Sequence, residues 1–543
     1  MLVARILPKR LLLCALLLQP LNQPAAMPVT GADKLSSAEA ARLLQQASFG
    51  PTLSDIQAAS LLTAEQWVDW QLSLPATTHA DKIETLPGQK TPVPLSRLET
   101  WWRIALTAPD QLRQRVAFAL SEILVVSDQG NGLNNRVIAL ANYYDLLLAH
   151  SFGNYRDLLQ QVTLSPVMGV YLSHLGNQKA DVANNIRPDE NYARELMQLF
   201  TIGLYQLNPD GSKKLDAGGN PIPTYDQQAI EGFARVFTGW TSAGTTNFVK
   251  PKADYLQPMI PFAAYHEPGE KRLLNGVVLP AGQTPQQDLQ QALDLLFAQP
   301  SLPPFISQQL IQKLVTSNPS PAYVGRVTQV FIDNGQGERG DLAAVVKAIL
   351  LDEEARSGFA GVARPFGKIR EPLLKTAHSW RVTQSAAKSG HIYLRTLADS
   401  HNQAPLQSPS VFNFYRPDFS PSAALQQAGL VAPELQMLTA SNALQMQNHL
   451  YSQTVGSIEG LVANPTQYQM LARFQPFADV LQQQGLNGLL DQYSLLAFGG
   501  AMPADLRLIL TDLASGLGNI AAAQKAAYLW YFIVISPQYA VQQ

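Results

Sequence analysis

Start and stop signals for α-helices recur along almost the whole of this 543-residue sequence. Ser36 is followed three residues later by Glu39, and Thr224 by Gln227, which is the pattern of a helix-capping box. Apolar residues recur at helical spacing between such signals, whereas alternating, strand-like patterns are sparse. The sequence therefore predicts an all-α protein, a large multi-helix domain with one or two small β-hairpin insertions.

The spacing also places individual elements. The predicted helices include 136–149, 155–162, 187–202, 225–238, 286–298, 303–316, 321–333, 341–351 and 372–382. Turn residues at 207–223 and 271–282 predict the hairpins, the second turning at Asn275-Gly276. A stretch rich in Pro, Thr and aromatic residues is where two helical halves would meet. We thus predict a single helical domain over 33–543, with the halves meeting near 240–285.

The N-terminal segment 1–26 has the pattern of a secretory signal peptide. Basic residues precede an apolar run from Leu11 to Leu18, and small residues follow near Ala25. The run is shorter than the roughly 20 residues that span a bilayer. We therefore predict an exported protein, periplasmic or at the cell exterior, with no transmembrane segment in its mature chain.

Composition excludes several classes of chemistry. Cys14 is the only cysteine and lies in the predicted signal peptide, so the mature chain would have no disulfide, catalytic thiolate or cysteine-ligated zinc. A formal net charge of -2 gives no general attraction to nucleic acid, and none is predicted as a partner.

Familiar catalytic motifs are absent from the sequence. GQGERG (335–340) matches a dinucleotide-binding fingerprint, but the residues before it have helical spacing, which favours a turn between helices. There is no GxSxG, HExxH or Walker loop. The cofactor is therefore left unknown, and no metal ligand is assigned.

The stretch RPDENYARELMQLFTIG (187–203) carries a polar stripe on a predicted helix. Asn191, Arg194, Glu195 and Gln198 fall within an arc of about 100°. One interpretation is a solvated face with a Glu190–Arg194 ion pair. The other is one wall of a polar site, since the stripe lacks Lys and mixes amides with both signs of charge. Both interpretations stay open.

Histidines offer the other candidate chemistry. His266 lies among carboxylates and cations in YHEPGEKR (265–272), which suits a general acid or base but equally a solvated turn. His174 is a weaker candidate of the same kind. A divalent ion held by Glu195, Glu267 and His266 has no spacing rule in its favour.

Two later segments carry further polar residues. ARPFGKIREPLLK (363–375) gathers four cations around Glu371: Arg364, Lys368, Arg370 and Lys375. A salt-bridged helix entry is favoured there over an anion site. SPSVFNFYRPDFSP (408–421), with Asn413 and Arg416, either lines a pocket mouth or covers the core.

Five motifs in order resemble the bacterial domain-of-unknown-function 1800 family: ARLLQQASFGPT (41–52), ENYARELMQLFTIG (190–203), Thr238-Gly239-Trp240, HEPGEK (266–271) and VFNFYRP (411–417). The resemblance spans nearly the whole mature chain and implies an exported, mostly helical protein. Such proteins are often encoded beside a second exported family, itself similar to the alkaline phosphatase and sulfatase superfamily, which implies a partner of that kind.

The family supplies no mechanism, so only its motif residues carry over: Asn191, Tyr192, Arg194, Glu195, Gly239, Trp240, His266, Gly269 and Lys271. Many relatives have Asp after the motif His, where this chain has Glu267.

Two functions remain open at this point. One is an enzyme acting on an extracellular or periplasmic polymer or an anionic substrate. In it, Glu195 and His266 would be catalytic proton carriers, and Asn191, Arg194 and Lys271 would bind the substrate. The other is a non-catalytic partner or scaffold of an exported complex, in which the same polar residues form a structural network.

Overall fold

The computed structural model describes residues 33–130, 132–357, 366–392, 394 and 400–543. The predicted signal peptide, Cys14 and Arg364 lie outside the described residues. Within these ranges, α-helices dominate and are accompanied by three two-stranded sheets. The prediction of a mainly helical fold with small hairpins is confirmed.

The N-terminal third is built of short helices with polar caps. The hydroxyl of Ser36 accepts from the backbone N–H of Glu39, and the Glu39 carboxylate accepts from that of Ser36, as the capping box predicted. The helices are α1 (Ser37–Ala47), α2 (Leu53–Ala59), α3 (Ala64–Ser73), α4 (Pro94–Thr107), α5 (Gln111–Ser121), α6 (Val137–Ala149), α7 (Tyr155–Leu164) and α8 (Pro166–Tyr171).

The middle third contains the predicted motifs and two of the sheets. Its helices are α9 (Asn191–Gln198), α10 (Gln227–Val236), α11 (Pro285–Phe297), α12 (Leu302–Leu314), α13 (Pro321–Ile332), α14 (Leu342–Leu351) and α15 (Glu353–Ser357). Its strands are β1 (Trp240–Thr241), β2 (Ile260–Pro261), β3 (Lys271–Arg272) and β4 (Val278–Leu279). GQGERG lies between α13 and α14, as predicted for a turn between helices.

The end of the C-terminal part pairs with a strand near residue 368. Its elements are β5 (Lys368–Ile369), α16 (Pro372–Val382), α17 (Ala423–Gln427), α18 (Ala440–Gln453), α19 (Gln475–Phe498), α20 (Ala504–Gly516), α21 (Ala522–Val534), α22 (Pro537–Ala540) and β6 (Val541–Gln542). The final strand pairs antiparallel with β5, Lys368 opposite Gln542. No local sequence pattern predicts this pairing, because the two strands are far apart in the sequence.

The two predicted hairpins are present. β3 and β4 pair antiparallel around Asn275 and Gly276, both of which have positive φ, so the turn conformation matches the residues that favour it. Residues 205–223 form a ladder of isolated antiparallel bridges, including Leu207 with Lys213 and Leu215 with Pro221.

Three helices position the predicted site. α10 packs against α9 on one side, and it also contacts β3 and α11. The apolar faces of these helices join a hydrophobic cluster whose members run from Leu35 to Tyr539. In the described ranges, no helix has both the length and the apolar character needed to cross a membrane.

Candidate functional site

The helix that carries the ENYAREL motif is shorter than predicted. It covers Asn191–Gln198 instead of 187–202. The backbone N–H of Asp189 donates to Asn177 Oδ1 at 2.9 Å, which holds the preceding residues outside the helix. Tyr192, Leu196 and other apolar side chains of α9 are buried, and the polar stripe occupies the remaining face.

Glu195 is the buried member of this polar stripe. The residue is only 7% exposed, and its Oε2 atom is buried without a hydrogen-bond partner. Burial raises the pKa of Glu195, and the neighbouring Arg194 partly offsets this effect. A buried carboxylate oxygen without a donor is uncommon, since leaving such a group unpaired costs on the order of 1–3 kcal/mol.

Arg194 and Asn191 lie at the solvent edge of the same helix. The Arg194 guanidinium is 3.1 Å from Glu190 Oε2, and its side chain is 42% exposed. Gln227 Nε2, on α10, donates to the same Glu190 oxygen at 3.1 Å. Asn191 is exposed, and its backbone N–H donates to Asp189 Oδ1. Glu195 therefore lies beside a partly exposed cation.

Two tyrosine hydroxyls lie within electrostatic range of Glu195. Burial raises the pKa of Tyr225, Arg194 lowers it and the charge of Glu195 raises it, so both charges lie near this hydroxyl. Burial also raises the pKa of Tyr171; a hydrogen bond to Ser408 lowers it, and Glu195 raises it. Ser408, which precedes the VFNFYRP motif, therefore lies near Tyr171, an arrangement that the sequence did not predict. We call Glu195, Arg194, Tyr171 and Tyr225 the Glu195 site.

The HEPGEK segment forms a different and fully buried network. His266 Nε2 lies 2.7 Å from Asp288 Oδ2, and Nδ1 lies 2.8 Å from the Thr238 carbonyl. Lys271 Nζ donates to the same Asp288 oxygen at 2.7 Å and to the carbonyls of Glu267 and Gly269. Both ring nitrogens and the ammonium are therefore occupied by protein acceptors. Asp288, on α11, was missed because nothing in the sequence near His266 points to it.

Gly239 of the Thr-Gly-Trp motif allows His266 to approach the end of α10 closely. The residue has a φ of +84°, and a Cβ atom there would lie 3.0 Å from both Cβ and the backbone N of His266. Glycine at the end of α10 therefore permits the close approach that brings His266 to Thr238.

The structure thus divides the five predicted site residues into two groups. Asn191, Arg194 and Glu195 lie together on α9, whereas His266 and Lys271 lie around Asp288, which belongs to α11. Within the part of the chain that the structure describes, no hydrogen bond joins residues 191–198 to residues 266–271. The catalytic role of His266 and the substrate-binding role of Lys271 stay predictions; their contacts favour a structural role.

A second, larger group of charged side chains lies in the interior. We call it the Glu122 cluster; its three carboxylates and three cations are Glu122, Glu371, Glu434, Arg115, Lys313 and Lys368, all buried. Lys368 Nζ is 3.2 Å from Glu371 Oε1 and 3.3 Å from Glu434 Oε1. Lys313 Nζ is 3.3 Å from Glu122 Oε2. The sequence predicts only the Lys368–Glu371 helix entry, because the other members come from distant segments.

Residues 402–417, which we call the 402–417 loop, close the Glu122 cluster from one side. Gln403 Nε2 donates to Glu371 Oε2 at 2.6 Å. Asn413 Nδ2 and the Tyr415 hydroxyl donate to the Glu122 carboxylate at 3.4 and 3.3 Å. This loop carries the VFNFYRP motif, so the motif covers a charged interior and not only an apolar core.

The pKa values of the two central carboxylates of this cluster, Glu122 and Glu371, are shifted in opposite directions. Burial, and the repulsion from Glu371, raise the pKa of Glu122 to about 7. Burial also disfavours the Glu371 charge, but Lys368, Arg115 and Lys313 outweigh it and lower the pKa of Glu371 to about 2. One shared set of cations therefore stabilises the charge of Glu371 in preference to that of Glu122.

Neither region contains a recognisable metal centre. Among the residues that the structure describes, no group of three His, Cys, Asp or Glu side chains could hold a metal ion. The set of Glu195, Glu267 and His266, which no spacing rule favoured, is not brought together among these residues.

Comparison with known proteins places the chain in one family and adds nothing about its activity. A family model described as "Protein of unknown function (DUF1800)" matches residues 42–541. Neither a curated protein nor a solved structure matches the chain.

Proposed function

The chain belongs to the DUF1800 family of proteins of unknown function, and from the geometry of the Glu195 site we propose that it is an exported acid–base enzyme. Its substrate is an extracellular or periplasmic polymer with anionic groups. The observation that carries this proposal is the buried, unpartnered Oε2 of Glu195 beside the partly exposed Arg194. The predicted signal peptide supports export.

The state of Glu195 fits a proton carrier. A general acid at neutral pH needs a pKa above that of an ordinary carboxyl group, and burial raises the pKa of Glu195 in that direction. Its Oε2 has no donor from the protein, so the carboxyl group has an unmet capacity to hold a proton. Groups with a shifted pKa and an unmet hydrogen-bonding capacity concentrate at functional sites.

In the proposed reaction, Glu195 acts on a bond that water cleaves. Glu195 gives its proton to the leaving oxygen of the polymer while the oxygen of water forms the new bond. The proton released by that water returns to the Glu195 carboxylate. Arg194 holds an anionic group of the substrate, and Asn191, exposed on the same helix, donates to it. The position on a surface helix suits a long polymer, which could not enter an enclosed cavity.

The second candidate is a non-catalytic partner or scaffold, for example of an exported protein similar to the phosphatase and sulfatase superfamily. The closed His266–Asp288–Lys271 network favours it, since every donor there is used to hold segments of the protein together. In this reading Glu195 would have no chemical task, and its pKa would have no functional consequence.

Chemical labelling tests the state of Glu195 directly. A diazo reagent esterifies carboxylic acids in their protonated form, and the extent of labelling against pH therefore reports the pKa. Trypsin cleavage after Arg194 and Lys213 releases residues 195–213, whose only acidic side chains are Glu195 and Asp210. Asp210 is an internal control, because hydrogen bonds from Ser212 lower its pKa and it is only partly buried.

We expect the labelling midpoint of Glu195, measured by mass spectrometry on the native protein, to lie above 4.5, the ordinary value for this side chain. The midpoint of Asp210 should lie below 3.8. A Glu195 midpoint at or below 4.5 would contradict the acid–base role and leave the scaffold as the better account.

A further inference from the structure

Two arginines, Arg42 on α1 and Arg356 on α15, lie close together where these helices meet. Arg42 Nε and Gln46 Nε2 both donate to the Ala355 carbonyl at 3.3 Å. Arg356 Nη2 donates in turn to Gln46 Oε1. We call Arg42 and Arg356 the arginine pair. Arg42 and Gln46 belong to the motif ARLLQQASFGPT (41–52), which contributes no residue to the Glu195 site.

The protein supplies no direct counter-charge to the arginine pair. Over the described ranges of the chain, no carboxylate pairs with either guanidinium group, and the acceptors that face them are the neutral oxygens of Gln46 and Ala355. Glu39, in the first turn of α1, attracts Arg356, but its carboxylate accepts from Ser36 at 2.7 and 2.8 Å.

Other arginines in the interior are treated differently. Three buried arginines each lie 2.6 or 2.8 Å from an aspartate oxygen: Arg97, Arg156 and Arg381. A carboxylate partner is thus the usual arrangement for a covered guanidinium in this molecule, as it is in proteins generally. The arginine pair departs from this arrangement, because amide and carbonyl oxygens stand where the other arginines have carboxylates.

Arg356 also has donors without acceptors. Its Nε and Nη1 atoms are buried and form no hydrogen bond. Burial lowers the pKa of Arg356 to about 10, and the charge of Arg42 acts in the same direction. A buried cation without a counter-charge is costly, and a covered polar group without a partner is typical of a place where water or an ion binds. Both residues are only half-buried, so the pair can be reached from solvent.

We propose that the arginine pair is a binding site for a small divalent oxyanion of the phosphate or sulfate type. The anion lies between the two guanidinium groups and accepts hydrogen bonds from the unmet donors of Arg356. Two guanidinium groups carry two positive charges, so a divalent anion neutralises the pair, and planar N–H groups suit the oxygens of such an anion. This site goes beyond the proposed function and does not depend on it.

Isothermal titration calorimetry of the whole protein with sodium sulfate, in a zwitterionic buffer at constant ionic strength, measures the site. We expect the wild type to bind sulfate at one saturable site with a dissociation constant of about 1 mM or lower. Arg356→Gln should weaken binding by about tenfold or more, because it removes charge-assisted donors. Arg42→Gln should weaken it in the same way, and it decides the question if Arg356→Gln does not fold.

Arg473→Gln is the matched control. Arg473 is exposed and pairs with Glu459, so its replacement removes the same charge from the protein while leaving the arginine pair intact. This variant should bind sulfate as the wild type does. Weaker binding in Arg473→Gln, equal to that in Arg42→Gln, would mean attraction to the overall charge and would overturn the site.

The remaining outcomes are equally decisive. A wild type that shows no saturable binding of sulfate overturns the proposal, and this measurement needs no variant. Binding that is unchanged in both Arg42→Gln and Arg356→Gln overturns the assignment to the arginine pair. Competition at equal ionic strength tests the class of anion, since phosphate should displace sulfate and chloride should not. Chloride that displaces sulfate as effectively as phosphate overturns the preference for a divalent oxyanion.

Discussion

Glu195 and Glu122 are both glutamates whose pKa is raised by burial, yet their surroundings differ. Glu122 accepts from Asn413 and Tyr415 and pairs with Lys313. Glu195 has a buried oxygen without any donor and a neighbouring cation that faces solvent. In the first arrangement the carboxylate is bound by groups of the protein itself. In the second, one carboxylate oxygen has no protein donor and remains available to a molecule from outside.

The difference shows why burial and a perturbed pKa do not identify a substrate site by themselves. Structural ion networks perturb pKa values as strongly as catalytic sites do. What separates the two glutamates is whether both carboxylate oxygens already have partners. In the His266–Asp288–Lys271 network the ring and ammonium nitrogens all have acceptors, although Asp288 Oδ1 has no donor, and His266 looked from the sequence like a partner of Glu195.

The largest effect that the comparison predicts is on stability, at Glu371. Glu371→Gln removes the charge that lies 3.2 Å from the buried Lys368 ammonium. Lys368 keeps Glu434 Oε1 at 3.3 Å, but the cluster then holds three cations against two carboxylates. Because excess buried charge is costly, we expect the free energy of unfolding to fall by about 3–5 kcal/mol. Denaturant titration measures the change. A loss below about 1 kcal/mol, within the range of exposed ion pairs, would show that the cluster is hydrated.

A smaller loss is expected at Asp288. Asp288→Asn removes the carboxylate shared by His266 and Lys271, but Lys271 keeps two carbonyl acceptors and His266 keeps the Thr238 carbonyl. We therefore expect a loss of about 2–3 kcal/mol in the same titration. If the variant is as stable as the wild type, the network is not structural, and a substrate role for His266 and Lys271 regains support.

The sequence predicts the fold better than it predicts the sites. Helix caps and apolar spacing are local signals, so the class of the fold and the hairpin at Asn275-Gly276 could be read directly. The pairing of β5 with β6 could not be read, because it joins strands that are distant in sequence. For the same reason Asp288, and most of the Glu122 cluster, have no signature near the residues that they contact.

The polar stripe that includes Glu195 could be predicted from the sequence because its residues lie on one face of a single helix. The neighbouring tyrosines could not be predicted, since Tyr171 and Tyr225 come from other elements. The helical period gives a polar face, but only the packed structure decides which of its members is covered. Here it covers Glu195 and leaves Arg194 and Asn191 at the surface.

The pH dependence of stability should reveal Glu122. Its pKa is raised from 4.5 in the unfolded chain to about 7 in the folded protein, so folding takes up a proton between these values. The stabilisation is complete below 4.5 and is lost as the pH rises through about 7. We expect the wild type to lose on the order of 2 kcal/mol over this range relative to Glu122→Gln. Parallel curves for the two proteins would contradict this account.

The smallest effect on stability, and the largest on function, is expected at Glu195. Glu195→Gln keeps the size of the side chain, removes a carboxylate that burial disfavours and breaks no hydrogen bond of Oε2, so the free energy of unfolding should change by less than about 1 kcal/mol. If Glu195 carries the proton, cleavage of a polymer substrate found with the wild type should fall by roughly 10²–10⁴-fold. Glu231→Gln is the control, because it removes an exposed carboxylate from the neighbouring helix α10 and leaves both Glu195 and the Glu190–Arg194 pair intact. If Glu195→Gln unfolds readily, or keeps full activity, then the Glu195 site is a structural network like the one around Glu122.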